Sequence, residues 1–361
     1  MFKGGFFTGG TEYIQSKIAE AVENETRTAR ISGKHIIESA VRIPSNFTLI
    51  LEDCHLIMAD GVYSNMFVNE HHDTDEGRTI SGTDYNISII GRGMAILDGG
   101  EYNGLHERNA GKDGLPPIFL NNLILFTNVE GFKISNLSLI NQRWWAINCI
   151  YCRSGQISDL YVCSTDTAVN PDGSFRDGLT REKYANIYVK NSDGVDIRQG
   201  CHDITIENIS GFTEDDTVAL TALDGRMEQR FKVEGLPSDI CNIVVRNISS
   251  SAFCSNVRLL NQGEIKLHDI LIDGVYDTSA DSLHMDRGGH AIRVGDLHLY
   301  GKRHSTKDET YNITIRNVRS RAISALAIAG EIDNLAFYNI ECFDGCKMIE
   351  DNRTRSETEE K

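Results

Sequence analysis

From residue 36 onward the apolar residues of this chain fall in short alternating runs, such as His35-Ile36-Ile37, Phe47-Thr48-Leu49-Ile50-Leu51, Ile87-Ser88-Ile89-Ile90 and Ile124-Leu125-Phe126. Each run is bounded by Gly, Asn or Asp. Period-two alternation between turn-forming residues predicts half-buried strands, and no helical crossovers separate them. The N-terminus differs: Ile14, Ile18, Ala21 and Val22 recur at helical spacing behind Thr11. That spacing predicts a short helix over 11–22 with Thr11 as its cap.

Among the strands a unit of the type Ile-x-Ile/Val-x-Asn-Ile recurs at 132–137, 157–160, 204–209, 243–248, 313–318 and 335–340. Ile134 and Ile157 are 23 residues apart, and Asn317 and Asn339 are 22 apart. The 39 residues from Asn208 to Asn247 leave room for an inserted loop. Strands repeating at this period without helices predict an all-β parallel solenoid, whose stacked coils together bury a core that no single coil can close. The Asn or Asp after each strand is expected at a coil corner, where it tolerates left-handed backbone and stacks on its neighbour. One domain over residues 1–348 is expected, with 1–34 as an N-terminal cap and 349–361 as a charged, disordered tail.

Residues 164–186, 221–239 and 277–310 interrupt the repeat with charged and Gly-rich sequence. Loops inserted along one side of a solenoid build its binding face. Aromatic and basic residues there or nearby are candidates to line a groove: Trp144, Trp145, Phe175, Arg176, Arg226, Arg230, Phe231, His284, Arg287, His290, His298 and Arg303.

Charge narrows the partners. A formal net charge of −16 argues against nucleic acid and against an anionic membrane surface, while a local set of arginines would still admit an anionic sugar. The nine cysteines read as reduced core thiols, since they are odd in number and lie mostly in apolar runs. The Asn-x-Ser/Thr triplets at Asn46, Asn86, Asn136, Asn208, Asn247 and Asn312 recur with the repeat and read as repeat chemistry rather than glycosylation sites. No apolar run has signal-peptide or membrane-spanning length, so a cytoplasmic protein is expected unless a signal was removed. Oligomeric state is not legible.

The stretch 191–220 carries the candidate chemistry. Asp193 precedes one strand, and Asp215 and Asp216 follow 22 and 23 residues later, one coil on. Coils stack at about 4.8 Å, so the three carboxylates should converge. Crowded like charges raise at least one pKa, which places a protonated acid beside ionised bases. That pairing suits glycoside hydrolysis, with inversion where acid and base stand roughly 6.5–9.5 Å apart. On residue types alone, turn-forming aspartates or a calcium site remain open readings.

Residues of roughly 35–330 resemble glycoside hydrolase family 28, the polygalacturonase and rhamnogalacturonase group of right-handed parallel β-helices. The resemblance rests on Asn191-Ser192-Asp193-Gly194-Val195-Asp196, which is similar to the family's Asn-Thr-Asp-Gly-x-Asp run. Glu214-Asp215-Asp216 is similar to its Gly-Asp-Asp run, and Trp144-Trp145-Ala146-Ile147 to a Trp-x-Ile segment one coil earlier. The resemblance implies Asp215 as general acid, Asp193 and Asp216 as activators of water, and no metal or cofactor. The family's Gly-His-Gly should fall near Cys254-Ser255-Asn256, where there is no histidine. Its Arg-Ile-Lys corresponds to Arg293-Val294-Gly295, without the lysine, or less closely to Arg258. Substrate contacts are therefore expected from Asn191, Asn256, Arg258, Arg293 and His290. The implied activity is hydrolysis of a pectin-like or related plant oligosaccharide. A lyase or uronate epimerase on the same helix, and a non-catalytic carbohydrate-binding solenoid, are the alternatives.

Overall fold

The structure is a computed structural model that describes residues 5–100, 119–142, 144–164, 193–262, 264–295 and 304–353. Helix α1 (Gly10–Glu23) comes first. The early strands are β1 (Thr28–Ile37), β2 (Val41–Ile43), β3 (Phe47–Met58), β4 (Phe67–Asn69), β5 (Asp84–Asp98), β6 (Ile124–Thr127), β7 (Val129–Ile140) and β8 (Trp145–Ile150). The middle coils carry β9 (Arg153–Cys163), β10 (Asp193–Arg198), β11 (His202–Thr213), β12 (Val218–Ala222), β13 (Ile240–Ala252) and β14 (Ser255–Asn261). The last are β15 (Leu267–Asp277), β16 (His290–Val294), β17 (Thr310–Ser320), β18 (Ser324–Ile328), β19 (Asp333–Cys342) and β20 (Lys347–Asp351). A one-turn helix α2 (Arg226–Arg230) lies between β12 and β13.

Odd-numbered strands stack into one 10-stranded sheet and even-numbered strands into another. All pairings are parallel, and the result is a right-handed β-helix capped by one short helix, as the repeat and the resemblance together imply. The interior is built from side-chain ladders. Ile134, Ile157, Ile206, Val245, Ile272 and Ile315 lie in register through the first sheet, and Ile147, Val195, Val218, Val257 and Ile292 through the second. These residues are fully buried, so each coil closes its neighbour's apolar face.

The expected asparagines adopt left-handed backbone, with φ of 59° at Asn136, Asp159 and Asn208 and 54° at Asn247. They sit at a bend inside long strands, not after them. Their amides form a ladder along the stack: Asn208 donates to Asp159 at 2.9 Å, and Asn247 to Asn208 at 3.1 Å. One coil escaped the repeat pattern because it carries Gly274, after Asp273, where its neighbours carry Asn247 and Asn317. Gly274 has φ 86°, and Asn317 donates to Asp273 at 2.6 Å.

Three sequence expectations need correction. Thr11 lies within α1, behind an N-cap at Gly9. Its hydroxyl donates to Ser39 O at 3.1 Å and accepts from Glu38 N at 3.0 Å, so it binds the helix to the first coil. Residues 349–351, expected in the tail, complete β20. Cys54, Cys149, Cys152, Cys163 and Cys201 are buried free thiols, but Cys241, Cys254, Cys342 and Cys346 are only half-buried.

Candidate active site

The site forms where β11 hands over to β12, beside the start of β10. Gly194 N donates to Asp216 O at 3.0 Å and Val195 N to Thr217 O at 2.9 Å, which locks the two coils together at this corner. Asp216 N donates to Asp193 Oδ1 at 3.0 Å. The indole Nε1 of Trp145, in register with Asp193 one strand earlier, donates to Asp193 Oδ2 at 2.8 Å. Asp193 and Asp216 are buried and Asp215 is half-buried. One oxygen from each of the three lies within 4.8 Å of the others.

Burial pushes Asp193 well above the usual carboxylate range, and the charges of Asp215, Asp196 and Asp216 add to the effect. Burial also raises Asp216, against the opposing pull of Arg258 and Arg293. Asp196 makes a fourth acid of the group; burial raises it while Arg198 and Thr221 hold it down. Acids this closely coupled titrate together, so the cluster as a whole retains protons that isolated aspartates would lose.

Arg258 Nη1 stands 3.6 Å from Asp216 Oδ2, and Arg293 is its neighbour in register on β16. Cys254 occupies the stretch where the resemblance would put histidine: its backbone N donates to Asp215 O at 3.3 Å. Burial, then the charges of Asp215 and Asp216, push its thiol well up, so it is no substitute base. His290 pairs in register with Ser255 and bonds Ser324 Oγ through Nδ1 at 2.8 Å. Asn256 is buried and spends its amide on Ser250 O at 2.7 Å and Ser250 Oγ at 2.9 Å; a sugar would have to displace those contacts. Asn191, Phe175, Arg176, His298 and Arg303 lie outside the described residues, as does the side chain of Arg226.

Several groove candidates pack instead of lining open space. Trp144, Trp145 and Phe231 are buried in a cluster with Val68, Leu125, Tyr151, Met227 and Val233. Arg230 stays exposed while it pairs with Asp73 at 2.6 Å and covers the Phe119 ring, and Arg287 donates to Ala322 O. His284 stacks on Phe212. Three residues beside the acids were not picked out from sequence: Asp196, Arg198 and Glu228. Asp196 stood in the quoted run, but Arg198 and Glu228 meet across an insertion that no repeat period reveals.

Three carboxylates at this spacing could supply part of the oxygen shell of a divalent cation. Both oxygens of Asp193, however, already accept N–H hydrogen bonds and Arg258 faces Asp216, which suits proton transfer better than chelation.

The sequence profile of glycosyl hydrolases family 28 matches residues 34–235. No curated protein sequence matches the chain. Among solved structures, an iota-carrageenase complexed to iota-carrageenan fragments is similar with a TM-score of 0.59 at 12% identity, over 98% of this chain and 90% of that one. The tailspike protein of E. coli bacteriophage HK620 in complex with a pentasaccharide gives 0.56 at 14%, over 97% of this chain and 62% of that one. A 1,3-α-1,4-β-D-galactose-4-sulfate-3,6-anhydro-D-galactose-2-sulfate 4 galactohydrolase gives 0.55 at 13%, over 96% and 87%. At these identities the likeness is one of fold.

Proposed function

Because the chain belongs to glycosyl hydrolases family 28, we propose that it hydrolyses glycosidic bonds in pectin-like or related plant oligosaccharides with inversion. Asp215 is the general acid, and Asp193 and Asp216 activate the attacking water. The observation that carries this reading is the meeting of Asp193, Asp215 and Asp216, each with an oxygen within 4.8 Å of the other two. Asp215 is the least buried of the three and so the one that can reach the leaving oxygen. It gives that oxygen a proton as the bond to the anomeric carbon breaks. Water adds to the opposite face of the sugar and surrenders a proton to the ionised member of the buried pair, which titrates as a coupled unit. Arg258 and Arg293 supply positive charge next to Asp216 and suit an acidic sugar, with Arg293 the more exposed of the two.

The close spacing also favours a second reading. Carboxylates that leave room for water between them stand roughly 6.5–9.5 Å apart, and nucleophilic pairs roughly 5–5.5 Å. A nucleophilic aspartate would give retention. Wild type and Asp215→Asn should be assayed on pectic and other plant oligosaccharides, with the first-formed anomer followed by NMR. Inverted product, lost in Asp215→Asn, is the expected result. Retained product moves the mechanism to a covalent intermediate, and full-rate turnover by Asp215→Asn removes the assigned acid. An unsaturated product absorbing in the ultraviolet would replace hydrolysis with elimination.

A further inference from the structure

Behind Asp193 lies a second layer of charge. Arg198, on the same strand, is buried, yet it keeps its guanidinium between two carboxylates: Nη1 donates to Glu228 Oε1 at 2.7 Å, and Nη2 stands 3.5 Å from Asp196 Oδ1. Its flat face covers the Trp145 ring at 4.2 Å. Trp145 is the residue whose indole holds Asp193. Glu228 is fixed from the other side, because its Oε2 accepts from Gly225 N at 3.1 Å at the start of α2. Asp196 Oδ1 accepts from Thr221 at 3.1 Å. Two paths thus connect Arg198 to Asp193, one through the charge of Asp196 and one through the indole of Trp145.

We propose that Arg198 and Glu228 are positioning residues that set, with opposite sign, the proton affinity of Asp193. Their role in turnover rests on the assignment of Asp193 to the reaction; their effect on its protonation does not. Burying a guanidinium is costly unless it is paired and hydrogen-bonded, and here the pairing joins the inserted loop to the acid cluster.

Among the described residues, the charged and titratable groups around Asp193 are Asp196 and Arg198 on β10, the buried Glu214 with Asp215 and Asp216 after β11, Glu228 on α2, Arg258 on β14 and Arg293 on β16, with the Cys254 thiol nearby. Arg198 favours the ionised form of its neighbours. Glu228 offsets part of that charge. Removing Arg198 therefore strengthens Asp193's hold on its proton, and removing the charge of Glu228 weakens it. A residue that served only to pack would move both variants the same way or not at all.

The chain has two tryptophans, Trp144 and Trp145, so Trp144→Phe leaves Trp145 as the only indole, donating to the carboxyl under study. Its emission, titrated with pH without any substrate, reports Asp193, and the step it shows should vanish in Asp193→Asn. In this background Arg198→Gln should raise the midpoint by about 1 pH unit and Glu228→Gln lower it, the scale expected of one nearby charge. Arg198→Lys, which keeps the charge, should leave the midpoint nearer that of the parent than Arg198→Gln does. If Arg198→Gln does not fold, the fall in Glu228→Gln and the retained midpoint in Arg198→Lys still decide. If Trp144→Phe does not fold, 13C carboxyl shifts of aspartate-labelled protein give the same midpoints. Shifts of the same sign in Arg198→Gln and Glu228→Gln, or none in either, would overturn the proposal. The readout is independent of turnover, so a failure to find a hydrolysed substrate leaves it intact.

Discussion

At Asp193 the proposed catalytic role and folding stability pull in opposite directions. Burial and three neighbouring acids raise its folded pKa well above the ordinary 3.8. Below that ordinary value both folded and unfolded chains carry the proton, and the residue costs nothing extra. Above it the unfolded chain ionises while the folded chain still holds the proton, so stability falls as pH rises toward the folded value. Asp193→Asn cannot ionise, but its Nδ2 leaves one of the two N–H donors unpaired, a loss that does not depend on pH; its melting temperature is therefore expected to gain on that of wild type as pH rises from 4 to 7. Scanning calorimetry at the two pH values checks this; a difference independent of pH would assign it to something other than ionisation. Trading stability for a strained acid group is a familiar cost of active sites. The acids themselves were legible in sequence because 22 and 23 residues is one coil. Arg198 and Glu228 were not, since a contact across 30 residues, from β10 to the insertion after β12, depends on how that insertion folds back.

At the scale of elements, the asparagine ladders divide the work between backbone and side chain. Asn208 holds φ 59° and joins two ladder contacts, to Asp159 and from Asn247. Left-handed backbone costs a residue with a Cβ about 1–2 kcal/mol, and a hydrogen bond contributes about 0.5–1.5 kcal/mol. Asn208→Ala is expected to lose about 2 kcal/mol, and Asn208→Gly roughly half as much, because glycine keeps the bend and loses only the contacts. Urea unfolding midpoints separate the two effects. Equal losses would mean that backbone strain is negligible here. The ladder could be anticipated because Asn repeats in the same place on most coils. Thr11 could not be placed so well: one hydroxyl near a helix start suits several partners, and only the approach of the first coil selected Ser39 and Glu38.

The whole molecule has unlike ends. At the first, α1 lays Ile14, Ile18 and Ala21 over the core, all buried. At the last, β19 and β20 leave Tyr338, Met348 and Ile349 about half exposed. Coils that touch only their neighbours contribute stability one interface at a time, and among the described residues the last coil has a single strand interface. Backbone amides of β19 and β20 are expected to exchange fastest among the strands described, with protection rising through β17 and β15 toward the middle. Hydrogen exchange read by mass spectrometry tests the gradient; uniform protection would show one cooperative unit. Glu207, Arg246, Asp273 and Arg316 alternate in sign along the outside of the same stack, with Arg246 3.2 Å from Glu207 and Arg316 2.7 Å from Asp273, so the gradient should soften as salt screens them. Exposure of the end coil also has a mechanical side. Tension applied at residue 353 would meet no single breaking point; the chain would peel like tape, surrendering β19–β20 first. Three coils would come away before the one that touches Asp215 and Asp216, β13–β14, was disturbed.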